Sequence, residues 1–294
     1  MTNVQSELEP LAMGDGVSMR PLGETLGLEV TGCDLSRDAS QATAAITQLF
    51  LKHRVLVFRQ QQITNQQLQD FAAHFGSFPQ HVFRQPDGSV FPTVHIISNL
   101  DAAGKPSPNP YLAANLHWHT DHAFKARPAL LTMLYAVEIP PEGGDTDFAN
   151  ATLAYRALPQ GTKDRIAGLQ VEHSYEYMRT AIGTRPASAA EIADTPPVVH
   201  PLVRTHPQTG EKSLYLGMYS SRILGMSEPQ SRQLLDELTA HATQPQFVYR
   251  HVWQLHDMVM WDNRCLLHRA VPNYDATKHR RVMRRAVIQG EVPV

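Results

Sequence analysis

The sequence predicts a β-rich core, a barrel or jelly roll, with helical additions. Two stretches of helical periodicity stand near the N-terminus. A long series of short apolar or alternating runs follows, each bounded by turn residues. No internal repeat or low-complexity block interrupts the chain. Many short strands after early helices fit that architecture.

Residues 1–17 read as a flexible N-terminal tail, rich in Ser, Glu and Gly and without periodicity. That leaves 18–294 as a single domain. Leu26 to Thr31 reads as a short strand, with Leu26, Leu28 and Val30 on one face. Gln41 to His53 has helical spacing of Ala44, Ile46, Leu49 and Phe50, with Ser40 as N-cap. Arg54 to Phe58 is a compact apolar run and reads as a buried strand. Thr64 followed by Gln67 forms a capping-box pattern. It opens a helix through Leu68, Phe71, Ala72 and Phe75, stopped by Gly76.

The rest is predicted as strands at Thr93 to Ser98, Ala129 to Val137, Leu169 to His173, Pro201 to Thr205, Ser213 to Leu216, Gln246 to Trp253, Met258 to Trp261 and Val282 to Gln289. The turn His206-Pro207-Gln208-Thr209-Gly210 suits a hairpin. One late helix is predicted over Glu228 to Ala242. The stretch Glu176 to Val199 has Gly183, Pro186, Pro196 and Pro197 and little periodicity. It reads as a long lid loop or as a mobile insertion.

Composition narrows the function. Lys+Arg 26 against Asp+Glu 28 gives a formal charge of −2, without the basic footprint of a nucleic-acid or anionic-membrane binder. Apolar residues at 42% are enough for a core, and 18% charged residues exclude a disordered chain. No apolar stretch reaches the roughly 18 residues of a membrane span. The start, with Glu7, Glu9 and Asp15, does not read as a signal peptide. Cys33 and Cys265 make no disulfide framework, so a cytoplasmic protein is expected. His 15 is the unusual count, and histidine is the side chain most used for metals and proton transfer.

The histidines are densest at His117-Trp118-His119-Thr120-Asp121-His122. In extended chain residues i and i+2 face the same way, so His119 and Asp121 can offer an imidazole nitrogen and a carboxylate oxygen to one ion. A distant His would complete the two-His-one-carboxylate face of non-haem Fe(II), which leaves positions open for a co-substrate and dioxygen. His117 shares that face and is the alternative to His119. A hydrogen-bonded strand end is the bland reading of the motif.

Near the C-terminus, Trp261-Asp262-Asn263-Arg264-Cys265-Leu266-Leu267-His268 places a His at the end of a short apolar run after a turn. A basic strand follows, with Arg280, Arg281, Arg284 and Arg285. Arg281 and Arg285 share a face by even spacing, with Met283 between them, and that face needs an anion. Arg280 and Arg284 read as solvated side chains of an edge strand. Gly143-Gly144 permits a tight turn, after which Thr146 offers a hydroxyl. His200, His206, His251, His256 and His279 read as structural or surface residues, Cys265 as packing, and Trp118 and Trp261 as core.

Together, the blocks Trp118-His119-Thr120-Asp121, Gly143-Gly144-Asp145-Thr146, His200 to Pro207, Trp261 to Arg264, His268-Arg269-Ala270 and the Arg281/Arg285 strand resemble the taurine dioxygenase and 2,4-dichlorophenoxyacetate dioxygenase family of Fe(II)/2-oxoglutarate-dependent oxygenases. The blocks span about residues 20 to 290 in the family's order. Pro196 to His206 and Asp257 to Ala270 look closer to the aryloxyacetate branch than to the taurine branch.

The resemblance implies a double-stranded β-helix (jelly-roll) core with flanking helices and a long active-site lid loop. It implies Fe(II), with 2-oxoglutarate and dioxygen as co-substrates. By position, His119, Asp121 and His268 match the iron ligands. Thr146 and Arg281 match the residues that bind the distal carboxylate of 2-oxoglutarate. Arg280 is the alternative to Arg281, because the interval from His268 is longer than the taurine-type spacing. Arg285 matches an arginine near co-substrate and substrate anion, and Asn115 and His81 match substrate-side positions.

The implied activity is hydroxylation, and thereby cleavage, of a small anionic organic compound, with release of succinate and CO2. An aryloxyalkanoate-like carboxylate is favoured over an alkyl sulfonate or sulfate ester. No nucleic-acid or membrane partner is expected, and a homo-oligomer is. A non-catalytic jelly-roll binding protein is the competing class, but it would have no need of the three ligands and the arginine together. A zinc hydrolase with the same three ligands leaves the Thr146/Arg281 pair unexplained.

Overall fold

The computed structural model describes residues 16–37, 40–79, 92–107 and 113–294. Residues 1–15 of the predicted tail, and His81, lie outside the described residues. At the start β1 (Ser18–Pro21) pairs with β2 (Leu28–Thr31), and α1 (Ser40–His53) leads into β3 (Val55–Phe58). Then come α2 (Asn65–Ala73), β4 (His95–Ser98), the long β5 (Ala129–Glu138) and β6 (Thr146–Asn150). The middle of the chain holds α3 (Ala151–Ala157), α4 (Gln160–Ile166), β7 (Gln170–His173), α5 (Tyr175–Ala181) and α6 (Ala189–Asp194). These are followed by β8 (Val198–Pro201), β9 (Val203–Thr205), β10 (Lys212–Leu214) and β11 (Ser220–Ile223). The last elements are α7 (Glu228–Ala242), β12 (Val248–His251), β13 (Met258–Asp262), β14 (Leu266–Ala270) and β15 (Val282–Gln289).

Seven strands form one sheet in the order β1-β2-β3-β13-β5-β15-β4, antiparallel except between β2 and β3. The period-2 alternation of these strands sorts their side chains. Leu56, Phe58, Met133, Met258 and Met260 face α1 and α2, meeting Ile46, Leu49, Leu68 and Phe71. Val55, Val57, Leu134, Val259, Trp261 and Met283 face the other way and pack on Phe148 and Leu266 of the three-stranded sheet β12-β6-β14. The outer face of that smaller sheet, with Ala149 and Leu267, is covered by α3 and α7 through Ala154 and Leu235. The chain is thus a mixed helix–sheet structure with two sheets packed face to face between helices. No helix among the described residues is long and apolar enough to cross a membrane.

The predicted capping box is formed. Gln67 N–H donates to Thr64 Oγ1 at 3.2 Å, and Thr64 N–H donates to Gln67 Oε1 at 2.9 Å. Thr64→Ala removes the first of these, so a loss of about 1 kcal/mol of stability is expected in a denaturant melt. A change within error would show that packing of Leu68 and Phe71 alone holds α2.

Several expectations are corrected. Ser40 is the first residue of α1 rather than its cap. The predicted strand Pro201 to Thr205 is split, ending β8 at Pro201 and resuming as β9 at Val203. The stretch read as a structureless insertion contains α5 and α6, capped by Ser174 and Ser188. β15 is no edge strand: it lies between β5 and β4. Arg284 is accordingly half-buried, over the Tyr135 ring, and donates to the Ile63 carbonyl at 2.8 Å.

Candidate active site

The candidate site lies between the inner faces of the two sheets. On β6, Thr146 follows the inward side of Phe148; on β14, His268 follows that of Leu266. On the opposite wall, Arg281 and Arg285 take the side of Met283. The remaining ligand segment is stitched to the end of β14. His119 N–H donates to the His268 carbonyl at 3.0 Å, and His268 N–H returns a bond to the His119 carbonyl at 2.8 Å. One cleft is lined by Ile97, Asn115, His119, Asp121, Leu134, Thr146, Trp261, His268, Ala270, Arg281 and Arg285. A larger cleft of about 640 Å³ beside Phe124, Lys125 and Arg127 contains no metal-ligating cluster among the described residues.

His119, Asp121 and His268 are all buried, and their donor atoms lie within 4.8 Å of one another. The two Nε2 atoms stand 3.8 and 3.7 Å from the two Asp121 oxygens. Those distances are too long for hydrogen bonds, and a single ion can bridge the gap. His119 Nδ1 donates to the His117 carbonyl at 2.7 Å, which leaves Nε2 with the free lone pair. Burial holds both imidazoles below their ordinary pKa, His268 furthest because His119 adds to the effect, so both are neutral. Burial opposes the charge on Asp121, but the Arg285 guanidinium outweighs it and keeps the carboxyl far below the usual range. Two neutral imidazoles and one carboxylate are the donor set of a two-His-one-carboxylate iron site.

Outer residues fix this geometry. Thr132 Oγ1 donates to Asp121 Oδ2 at 2.6 Å. Asn263 accepts from the Asp121 N–H at 3.1 Å and from the Trp261 indole at 3.3 Å, and donates to Thr132 at 2.9 Å. A second cluster, His206, Asp262 and Cys265, has comparable spacing. Its carboxylate is already met by the Arg264 fork, at 2.8 and 2.7 Å, and by His206 at 3.0 Å. Burial pushes the Cys265 thiol well above its usual range. That cluster is a structural ion pair closing the turn from β13 to β14.

Arg281 and Thr146 line the same cleft. Asn99, fully buried, accepts from the Arg281 N–H at 2.7 Å and donates to the Ala276 and His279 carbonyls at 2.8 Å each. Asn273 Oδ1 accepts from Gly144 N–H at 2.8 Å. Arg281 Nε donates to the Gly144 carbonyl at 3.1 Å, and no acceptor for its Nη atoms is found among the described residues. The glycine pair is required here. Gly143 has φ +75°, and a Cβ there would lie 2.1 Å from the Asn273 carbonyl oxygen; at Gly144 it would lie 3.2 Å from Arg281 Nε. Arg280 points elsewhere: it is exposed and paired with Glu138.

Of the other predicted residues, Asn115 lines the cleft from the turn Ala114–Leu116. His117 is exposed and serves His119 through its carbonyl, not its ring. Trp261 is core as predicted, but it also lines the cleft, its ring 4.8 Å from that of His268. The face of Arg281 and Arg285 was read as needing an anion, and for Arg285 the protein supplies one: its Nη2 lies 2.5 Å from Asp121 Oδ1. Sequence reasoning missed Thr132, Asn99 and Asn273. Asn263 stands inside a motif that was singled out without a role of its own.

The match to known proteins follows the same lines. Residues 18–287 match the model of the family described as taurine catabolism dioxygenase TauD, TfdA family. An alpha-ketoglutarate-dependent 2,4-dichlorophenoxyacetate dioxygenase of Burkholderia sp. (strain RASC) is 40% identical over 244 residues, covering 80% of this chain and 82% of the relative. Another of that name, from Cupriavidus pinatubonensis, is 36% identical over 300 residues, covering 99% and 100%. A solved structure of AAD-2 in complex with Mn(II) and N-oxalylglycine superposes with a TM-score of 0.84 at 38% identity, covering 94% of this chain and 98% of that one. With its buried His-Asp-His triad and arginine-lined cleft, the chain belongs to the TauD/TfdA family of dioxygenases.

Proposed function

We propose that this protein is an Fe(II)- and 2-oxoglutarate-dependent dioxygenase that hydroxylates, and thereby cleaves, a small aryloxyalkanoate-like carboxylate. In this reading residues 18–294 work as one catalytic domain. The packed sheets are its double-stranded β-helix core, and the stretch 176–199 covers the substrate. What supports the reading above all is the joining, in one cleft, of the three ligands with two guanidiniums.

His119, Asp121 and His268 would hold the iron through two Nε2 atoms and a carboxylate oxygen. Thr132 and Asn263 hold Asp121 and its peptide in place for this. Iron(II) bound there, with 2-oxoglutarate and dioxygen, supplies the oxidative decarboxylation to succinate and CO2 and the oxidant that turns a substrate C–H into C–OH. Arg281, whose Nη atoms meet no acceptor among the described residues, and Thr146 would take the distal carboxylate of the keto acid. Arg285 and Asn115 would face the substrate, and the resemblance adds His81 as a further substrate residue. Hydroxylation at a carbon bearing an ether oxygen gives a hemiacetal, which collapses to a phenol and a carbonyl acid.

Charge favours an anionic substrate. The charged residues lining the cleft are Asp121, Arg281 and Arg285, a net of one positive charge. The two charges of 2-oxoglutarate offset the two of iron(II), so a monoanion would leave the filled site neutral. A buried site left with a net charge is costly.

The test is a succinate-release screen of aryloxyalkanoates, alkyl sulfates and alkyl sulfonates, each with a neutral counterpart. Turnover should be greatest with an aryloxyalkanoate; a preference for the sulfates or sulfonates would move the substrate class to that branch. Equal turnover of a carboxylic acid and its amide would sink the anion reading. Arg285→Ala should lose substrate-stimulated succinate release while keeping metal affinity, since removing the cation beside Asp121 takes away a competitor for that carboxylate. Loss of metal binding in Arg285→Ala would instead make Arg285 part of the metal site.

A further inference from the structure

Trp253 lies in the connection between β12 and β13, buried against the inner face of the sheets. Its indole N–H donates to Thr146 Oγ1 at 3.1 Å. An indole nitrogen is a donor only, so the hydroxyl accepts in this bond. A hydroxyl has one hydrogen to give, and among the described residues the Thr146 hydrogen meets no acceptor. It is therefore left for the cleft that Thr146 lines. The same indole ring has the Arg281 guanidinium carbon 6.0 Å from its centroid. One aromatic side chain thus touches both groups assigned to the distal carboxylate.

The ring is held from behind. His251 meets it edge-on, with centroids 4.6 Å apart and planes at 88°. His251 is itself fixed between Asp257, at 3.2 Å, and the Tyr249 hydroxyl, at 3.0 Å. Asp257 also accepts from Arg59 at 2.5 Å and from the Gln254 N–H at 2.8 Å. Rotation of the indole away from Thr146 would break into this buried network.

We infer that Trp253 is a positioning residue for the co-substrate: its N–H commits the Thr146 hydroxyl to donating into the cleft, toward the distal carboxylate of 2-oxoglutarate. The inference rests on the co-substrate assignment of Thr146 and Arg281 made above. Its consequence is selectivity. A keto acid with a distal anion gains an oriented donor, whereas one ending in a methyl group gains nothing from it.

The experiment is a double-mutant cycle on the full chain loaded with Mn(II), reading the dissociation constant of 2-oxoglutarate by calorimetry. Trp253→Phe deletes the N–H and keeps a ring beside Arg281; Thr146→Val deletes the hydroxyl. In the Thr146 background, Trp253→Phe should weaken 2-oxoglutarate binding about 5-fold, the size of one hydrogen bond. In the Thr146→Val background it should change little, and Thr146→Ser should restore its effect. Mn(II) affinity and the affinity for 2-oxopentanoate, which lacks the distal carboxylate, should not move. Replacing Trp253 by β-(3-benzothienyl)alanine, which keeps the bicyclic ring and has sulfur in place of the N–H, makes the same deletion if Phe leaves too large a void to fold. An equal effect of Trp253→Phe in both backgrounds, or none in either, would overturn the inference alone. A Thr146→Val protein that binds 2-oxoglutarate normally would overturn it together with the assignment beneath it.

Discussion

Alanine at His119, Asp121 or His268 is expected to abolish 2-oxoglutarate turnover and to weaken Fe(II) or Mn(II) binding by well over 100-fold. Loss of an outer partner of a metal ligand typically costs 10–100-fold, and loss of a ligand itself must exceed that. Thr132→Val and Asn263→Ala, which remove bonds that hold Asp121 but leave all three ligands in place, should fall in that outer range. His117→Ala should keep both metal and activity, because the carbonyl that orients His119 survives the change. Calorimetric Mn(II) titration checks the series. A fully active His119→Ala protein would end the assignment, and loss of activity only in His117→Ala would mean that its ring, not its carbonyl, is what the site uses. Asp121→Ala should also lower stability, because it leaves the partly buried Arg285 without its carboxylate.

Arg281→Ala is expected to raise the 2-oxoglutarate requirement more than any other change that spares the metal. Removing one side of a buried, hydrogen-bonded charge pair costs about 2–5 kcal/mol, more than an order of magnitude in affinity. Arg281→Lys should recover only part of this, since a single ammonium cannot offer two parallel N–H bonds to a carboxylate. Thr146→Ala removes one neutral donor and should be milder. Arg280→Ala serves as the control. Its pair with Glu138 is solvent-exposed, and such pairs contribute about 0–1 kcal/mol. The concentration dependence of succinate release measures each variant. A larger effect at Arg280 than at Arg281 would reverse the assignment, and no effect at either would remove the keto acid from this cleft.

Local spacing placed only part of what lines the cleft, namely His119 with Asp121 and Arg281 with Arg285; Thr146, His268 and Asn115 were legible only through the family resemblance, and Ile97, Leu134 and Ala270 were not legible at all. The two-residue period aligns Arg281, just before β15, with Arg285 on that strand. The capping box of α2 and the helix Glu228–Ala242 were readable for the same reason. Polar partners were not, because they depend on which strands become neighbours. Thr132 meets Asp121 and Asn263 only after β13 pairs with β5. Asn99 meets Arg281 only after β4 pairs with β15. The Arg285–Asp121 contact follows from the same long-range closure, which is why Arg285 looked unpaired in sequence. The helices α5 and α6 escaped notice because each is under two turns or barely two, too short for a periodic pattern, and is marked only by its serine cap.

The two asparagines beside Arg281 have a thermodynamic consequence. Asn99 grips the backbone just before β15 and Asn273 grips the Gly144 turn, so the guanidinium stands ready on a braced connection. A free arginine side chain gives up about 2 kcal/mol of rotamer entropy when it is immobilised. If Arg281 takes the keto acid as proposed, that loss is incurred as the protein folds, not as the dicarboxylate arrives. Preorganisation of this kind ties keto-acid affinity to the local stability of residues 271–281. On warming, partial opening of that connection would weaken co-substrate binding while the sheets themselves stay folded.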